Sequence, residues 1–331
     1  MKTIGIIIGT NDQAVSREYY LKNKKKLQIL KEYDLQKINY IPYDYAIFAE
    51  IKSLEKKYNA NVIPLFGYDL SLEDCNLCDV IFCIYEGVFS FNDGGIESYQ
   101  NYMNILKKTR AKVYPSQEMQ ELIIQKNKYM KYLQKKGYQL TPTYYINNDN
   151  YDIKKINKFI EKNNYNTIIL KPELGGFKSG FKIIKNPSSK KIKSCISSLK
   201  KKGYQRLLLQ SFLEEFNKYG EIKTYWINNQ FIYAYNQKWK NNEGIFFKQN
   251  TIDKELLKYC ISVGKKLLQD IKKDHENLLH CRIDFACCLN NDNHCRDFFI
   301  NEIEICPTIA EQDSDKNTYK LLAEHIMKYV F

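Results

Sequence analysis

The chain has 331 residues, 44% hydrophobic and 27% charged, which excludes a disordered polymer and suggests two or three packed domains. Lys and Arg outnumber Asp and Glu by 51 to 38, a formal net charge of +13, but only five of the cations are arginine and no nucleic-acid-binding motif accompanies them. No apolar run approaches the roughly 18 residues of a membrane-spanning helix. The lysines read as dispersed, as drift in base composition would leave them, so neither nucleic acid nor a membrane is expected as a partner.

Ile4–Ile8 reads as a buried strand, too short for the apolar core of a signal peptide. Gly9–Asp12 reads as a turn, Ser16–Tyr33 as helical and Asn39–Tyr43 as extended. Cys75-x-x-Cys78 has redox or zinc spacing, yet without a secretory signal the ten cysteines fit reduced thiols in a cytoplasmic protein. Asp79–Ile84 is a continuous apolar run, the mark of a parallel strand covered on both faces, followed by a loop at Phe91–Gly95 and a helix at Ile96–Leu106. Strands alternating with helices imply an α/β domain with a parallel sheet.

Ser116 can cap a helix that runs to Lys136 and stops at Gly137. Thr141–Thr143 leads into a strand, and strands at Thr167–Leu170 and Phe181–Ile184 flank a glycine-containing loop. A third segment carries strands at Leu207–Phe212, Ile222–Ile227, Phe231–Tyr235, Arg282–Cys287 and Phe298–Ile303. The expected division is 1–114, 115–206 and 207–331. Cys287, Cys288 and Cys295 lie beside His294, but an adjacent cysteine pair lacks a zinc-knuckle spacing.

The last two strands hold the sharpest chemistry. Side chains repeat every two residues on one face of a strand, so Glu302 and Glu304 project together, and hairpin pairing brings Asp284 beside them. Three carboxylates on one face repel unless cations sit between them, and hard oxygen ligands suit Mg²⁺ shared with nucleotide phosphates. The flanking Ile283, Phe285, Ile303 and Ile305 would face a core. Leu170-Lys171-Pro172-Glu173-Leu174-Gly175-Gly176-Phe177-Lys178-Ser179-Gly180 is a strand ending in lysine and a loop able to offer N–H groups to phosphate. It is not the Walker pattern.

The order of Lys126, the Lys171 loop, Gln210-Ser211-Phe212-Leu213, Glu221, Asp284 and the Glu302/Glu304 pair resembles the ATP-grasp superfamily over roughly residues 115–310. Gly9-Thr10-Asn11-Asp12, Glu86-Gly87 with Asn92-Asp93-Gly94, and Glu302-x-Glu304-x-x-Pro307 resemble signatures of the D-alanine–D-alanine ligases. The resemblance implies an α/β (α+β lobes) architecture, a three-domain ATP-grasp fold with an N-terminal parallel-sheet domain. It implies ATP with two Mg²⁺ ions, Mn²⁺ being an alternative, and small-molecule carboxylate and amine substrates; it leaves a homodimer through the N-terminal domain open.

By position, Lys126 and Lys171 would hold the phosphates under a lid of Gly176, Lys178, Ser179 and Gly180. Gln210, Ser211, Phe212 and Leu213 would edge the adenine, Glu221 would bind the ribose, and Lys248 and Asn250 would add nucleotide contacts. Asp284, Glu302 and Glu304 would take the metal ions. Arg282, with Lys171 and Ser179, would serve the reaction itself. Asp12, Glu86, Arg282, Thr308, Asp313 and Ser314 would meet the substrates. The activity implied is amide-bond formation through an acyl phosphate. Three departures from the family pattern stand out: Glu304 for Asn at a metal position, and, at the positions the resemblance makes substrate-facing, Phe177-Lys178 for paired serines and Glu86 for His. They point to a ligase with other substrates, with a genuine D-alanine–D-alanine ligase, a kinase of a small anionic substrate and an inactive nucleotide-binding scaffold as alternatives.

Overall fold

A computed structural model describes residues 1–9, 15–33, 41–84, 96–175, 179–240, 243–289, 296–307 and 317–331. β1 (Lys2–Ile8) lies at the centre of the first sheet, and Ile4, Ile6, Ile7 and Ile8 are wholly buried. Ser16 caps α1 (Arg17–Leu27), which runs on into a 3-10 helix to Tyr33. Of the stretch expected to be extended, Asn39 and Tyr40 lie outside the described residues, Pro42 is extended with ψ 148°, and Tyr43 already opens α2 (Tyr43–Lys52). Nine of its ten residues are buried, so it lacks the polar stripe by which a helix announces itself. α3 (Glu55–Tyr58), β2 (Ala60–Phe66), α4 (Leu72–Asn76), β3 (Val80–Cys83), α5 (Ile96–Lys108) and β4 (Lys112–Tyr114) complete the unit. The sheet order is β2-β1-β3-β4, all parallel.

The helix expected from Ser116 to Lys136 is two helices. α6 (Gln117–Ile124) is capped by Ser116, whose Oγ accepts from Met119 N at 3.2 Å. Gln125 then turns out of helical geometry with ψ 97°, and α7 (Lys126–Lys135) starts afresh at Lys126. β5 (Tyr144–Asn147), α8 (Ile153–Lys162), β6 (Thr167–Pro172), β7 (Lys182–Lys185), α9 (Ser189–Lys201) and β8 (Arg206–Ser211) follow. The antiparallel order β5-β8-β6-β7 places β8, expected to open the third segment, in this middle sheet. α8 and α9 bury Ile156, Ile160, Ile192, Ile196 and Leu199 against Ile168, Leu170, Leu207 and Leu209 on one face of it.

α10 (Glu215–Tyr219) leads into β9 (Glu221–Ile227), β10 (Gln230–Lys240), β11 (Glu243–Lys248), α11 (Lys254–Asp274), β12 (His280–Leu289), β13 (Arg296–Ile305) and α12 (Thr318–Val330). The strand order is β11-β10-β9-β12-β13, antiparallel throughout. Ile283, Phe285, Ile303 and Ile305 are buried with Leu267, Leu268 and Ile271 of α11, as the alternation of β12 and β13 required. α12 crosses back to the first sheet and packs against α2, where Tyr319, Leu322 and Ile326 join the core of β1 and β3. Among the described residues, no helix is long and apolar enough to cross a membrane.

Candidate active site

The face of the five-stranded sheet opposite α11 carries the charge. Residues paired directly across strands share a face, and the registers align Lys248, Tyr235, Lys223, Asp284 and Glu302 in one row across all five strands. A neighbouring row runs Tyr233, Tyr225, Arg282 and Glu304. Asp284, Glu302 and Glu304 thus converge, with one oxygen from each lying within 4.8 Å of the others. Asp284 is wholly buried, while the Glu302 and Glu304 side chains keep 25% of their surface.

Fixed cations surround this trio. Arg282 donates from Nε to Asp284 Oδ1 and from Nη2 to Oδ2, both at 2.7 Å, and from Nη2 to Glu304 Oε1 at 2.6 Å. Lys223 Nζ contacts Asp284 Oδ2 at 2.5 Å and Glu221 Oε2 at 2.8 Å, and Asn301 Nδ2 donates to Glu221 Oε1 at 2.6 Å. From the first residue of α7, Lys126 Nζ reaches Glu302 Oε1 at 3.2 Å and donates to the Gly175 carbonyl at 2.8 Å.

Burial alone would raise the Glu302 carboxyl, but Lys126, Lys171, Lys223 and Arg282 outweigh it and hold it down at about 2. Burial raises Glu304 to about 7; Arg282 opposes that shift, and Asp284 and Glu302 add to it. Burial also lowers the Lys171 ammonium, with Lys126 adding to the shift and Glu302 and Glu221 opposing it. Lys223 is pushed down by burial and by Arg282, yet the surrounding carboxylates, Asp284 and Glu221 first, keep it above the ordinary lysine range. Three hard oxygen donors at this separation, one of them ringed by lysines, are a donor set that fits a small divalent cation bridging to phosphate.

Lys171 on β6 and Gln210 on β8 alternate to the face of the middle sheet away from α8 and α9, toward the carboxylates. Gln210 is buried and donates to Thr143 Oγ1 at 2.8 Å, and Ser211, Phe212 and Leu213 follow it half-buried. Ser179 Oγ lies 2.8 Å from Tyr204 OH. Gly180 takes φ +70°, and a Cβ there would stand 2.5 Å from the Pro172 ring and 2.8 Å from that of Tyr204. Lys248 ends the charged row at the sheet's edge, whereas Asn250 is exposed in the short turn beyond it and joins neither row. Asp12, Glu86, Gly176, Lys178, Thr308, Asp313 and Ser314 lie outside the described residues.

The sequence reading overlooked Lys223 and Asn301 as members of the site. Their signal was present: Lys223 stands two residues from Glu221 on one strand, and Asn301 adjoins Glu302. Cys75 and Cys78 are buried, and the missing side chain of Gly5 leaves room for Cys78 Sγ. Burial raises both thiols, Cys75 to about 11 and Cys78 to about 12.

No family model matches the sequence, and no curated protein matches it either. Solved structures do match in fold. A D-cycloserine synthetase, DcsG, superposes with a TM-score of 0.69 at 10% identity, over 99% of this chain and 100% of that one. The D-alanine–D-alanine ligase of Bacillus anthracis gives 0.62 at 13% identity, over 99% and 96%. The ATP-grasp ligase PsnB, in complex with a minimal precursor, gives 0.58 at 12% identity, over 100% and 99%. The fold is the ATP-grasp fold.

Proposed function

We propose that this chain is an ATP-dependent ligase that joins a carboxylate to an amine through an acyl phosphate. The reading rests above all on one observation: Asp284, Glu302 and Glu304 converge beside Arg282 on a single sheet face, with Lys126 at the start of α7 approaching Glu302. Relatives in fold include an N5-carboxyaminoimidazole synthetase from Staphylococcus aureus solved with ADP, at 15% identity and a TM-score of 0.60. In this reading the nucleotide lies between the middle sheet, which supplies Lys171 and Gln210, and the carboxylate face of the five-stranded sheet.

In this reading Asp284, Glu302 and Glu304 hold Mg²⁺, which when bound neutralises charge on the transferred phosphoryl group. Lys126 and Lys171 bind the phosphate oxygens. Gln210 and the residues after it border the base, and Glu221, held by Lys223 and Asn301, receives the ribose. The substrate carboxylate attacks the γ-phosphate and ADP departs. The amine then attacks the acyl carbonyl, Arg282 stabilises the oxyanion, and phosphate leaves. Arg282 is suited to this because two carboxylates fix its guanidinium before substrate arrives. The substrates differ from those of D-alanine–D-alanine ligase, since the departures at Phe177, Lys178 and Glu86 fall on substrate-facing positions.

The test is a screen of ADP and phosphate release over pairs of small carboxylates and amines with Mg²⁺. Release of both products only when both substrates are present supports the reading. ADP without free phosphate in every productive mixture overturns it in favour of a kinase.

A further inference from the structure

The positive charge is not spread over the fold as the sequence suggested. Residues 115–211 hold 20 Lys and Arg against 6 Asp and Glu, whereas the rest of the chain holds 31 against 32. Drift in base composition acts on a whole chain and does not explain an excess confined to one lobe. α8 carries four lysines and α9 five, and all nine are exposed. At about 100° per residue, Lys154, Lys155, Lys158 and Lys162 fall within about a quarter turn, opposite the buried Ile156 and Ile160. The lysines of α9 likewise lie opposite its buried Ile192, Ile196 and Leu199.

Little within the chain answers this charge. Among the described residues only Lys200 of the nine makes an ion pair, with Asp149 at 2.8 Å. Asp152 is spent on capping α8, where it accepts from the backbone of Lys154 and Lys155. Nor do these lysines face the candidate site. α8 and α9 cover the side of the sheet bearing Ile168 and Leu170, and Lys171 and Gln210 point to the other. A single-sign plane lowers the stability of its own lobe by self-repulsion, a cost that salt screens in part and that a bound polyanion would offset.

Three polyanions suit a flat positive plane, and the side chains discriminate among them. Nucleic acid favours arginine forks for phosphate and exposed aromatic rings for bases; the exposed faces of α8 and α9 have neither. Stable membrane attachment needs an apolar signal beside the basic one, and the apolar stripes of both helices are consumed by the lobe's own core. Carboxylates on a flexible chain need only point charges on long stems, which is what lysine supplies. We propose that the outer face of the α8–α9 layer is a docking surface for an acidic polypeptide segment of a partner protein.

The proposal stands apart from the ligase reading and is tested by binding alone. Fluorescent poly-L-glutamate is titrated with the full chain, and its anisotropy is read across a salt series. One variant combines Lys154→Glu, Lys158→Glu and Lys193→Glu. A control of equal charge change combines Lys254→Glu, Lys265→Glu and Lys272→Glu on α11. Glutamine versions of both guard against misfolding, with each melting temperature checked. The α8–α9 variants should weaken binding by about tenfold or more and flatten its salt dependence, while the control stays within about twofold. Equal losses in both sets, or no binding by the parent chain at low salt, overturns the proposal. So does tighter binding of single-stranded RNA or phosphatidylserine vesicles that depends on the same lysines.

Discussion

Arg282 and Asp284, two residues apart on β12, are joined by a two-pronged ion pair in which both prongs measure 2.7 Å. The same carboxylate takes Lys223 on its inner oxygen and faces Glu302 across the hairpin. Asp284 therefore links the cation that would stabilise an oxyanion to the oxygens that would hold metal.

Asp284→Asn should accordingly harm two functions together. In the parent, saturating ATP with Mg²⁺ should raise the melting temperature, by mass action equivalent to about 2.7 kcal/mol at a hundredfold excess over Kd. Asp284→Asn and Glu302→Gln should abolish the part of this shift that EDTA removes. A full Mg²⁺-dependent shift in both variants shows that the metal sits elsewhere.

Arg282→Ala should leave nucleotide binding largely intact and lower turnover by about 10²–10³, the usual cost of losing an oxyanion partner. Steady-state kinetics on the best substrate pair, beside the ATP thermal shift, separate the two effects. Equal losses in both measurements assign Arg282 to nucleotide binding instead.

Lys223→Met removes the only described cation bridging Glu221 and Asp284. Asp284 keeps Arg282 and Glu221 keeps Asn301, but each loses one buried charged contact, so a loss of about 1–3 kcal/mol is expected in urea unfolding. Lys223→Arg, which keeps the charge, should recover much of it.

Two buried groups outside the site give opposite pH slopes. Asp44 Oδ2 accepts from Gly9 N at 2.7 Å, Oδ1 has no hydrogen-bond partner among the described residues, and burial, opposed by the backbone N–H groups of Gly9, Asp44 and Tyr45, raises the carboxyl from 3.8 to about 7. The folded chain holds that proton while the unfolded chain has lost it, so this group's stabilisation is full below 3.8 and fades as pH rises to about 7. Burial depresses His280 from 6.5 to about 3, so its contribution is full above 6.5 and is lost as pH falls toward 3. The slopes oppose each other over their shared range. Glu304, also raised to about 7, slopes the same way as Asp44 and remains, so Asp44→Asn should make stability climb with pH relative to the parent, the difference growing by up to about 1.4 kcal/mol per unit. Urea midpoints between pH 4 and 7 test this; a variant curve parallel to the parent's refutes it.

Gly264 lies inside α11, where alanine would ordinarily stabilise by about 1 kcal/mol. Here a Cβ would meet the Trp226 ring at 2.5 Å. Gly264→Ala should therefore destabilise by about 1–3 kcal/mol, and Trp226→Phe in the same chain should relieve part of that cost, as calorimetry can show.

What the sequence revealed followed periodicity. The pairing of Asp284 with Glu302 was legible because a two-residue repeat and a hairpin leave few registers. α2 was not legible, because a helix buried on nearly every side has no polar face to mark its period. The break at Gln125 was hidden for a different reason: no Gly or Pro signals it, and the chain turns there to seat Lys126 against Gly175 and Glu302. The place of β8 could not be read either, since its partners β5 and β6 are chosen by tertiary packing and not by neighbours in sequence.

α12 lies far along the chain from the first sheet yet covers it, filling the gap beside α2 with Tyr319, Leu322, Ile326 and Met327. Any folding order in which α2 settles before α12 leaves an oily flank uncovered, so the first domain is sealed by an element more than two hundred residues distant in the chain.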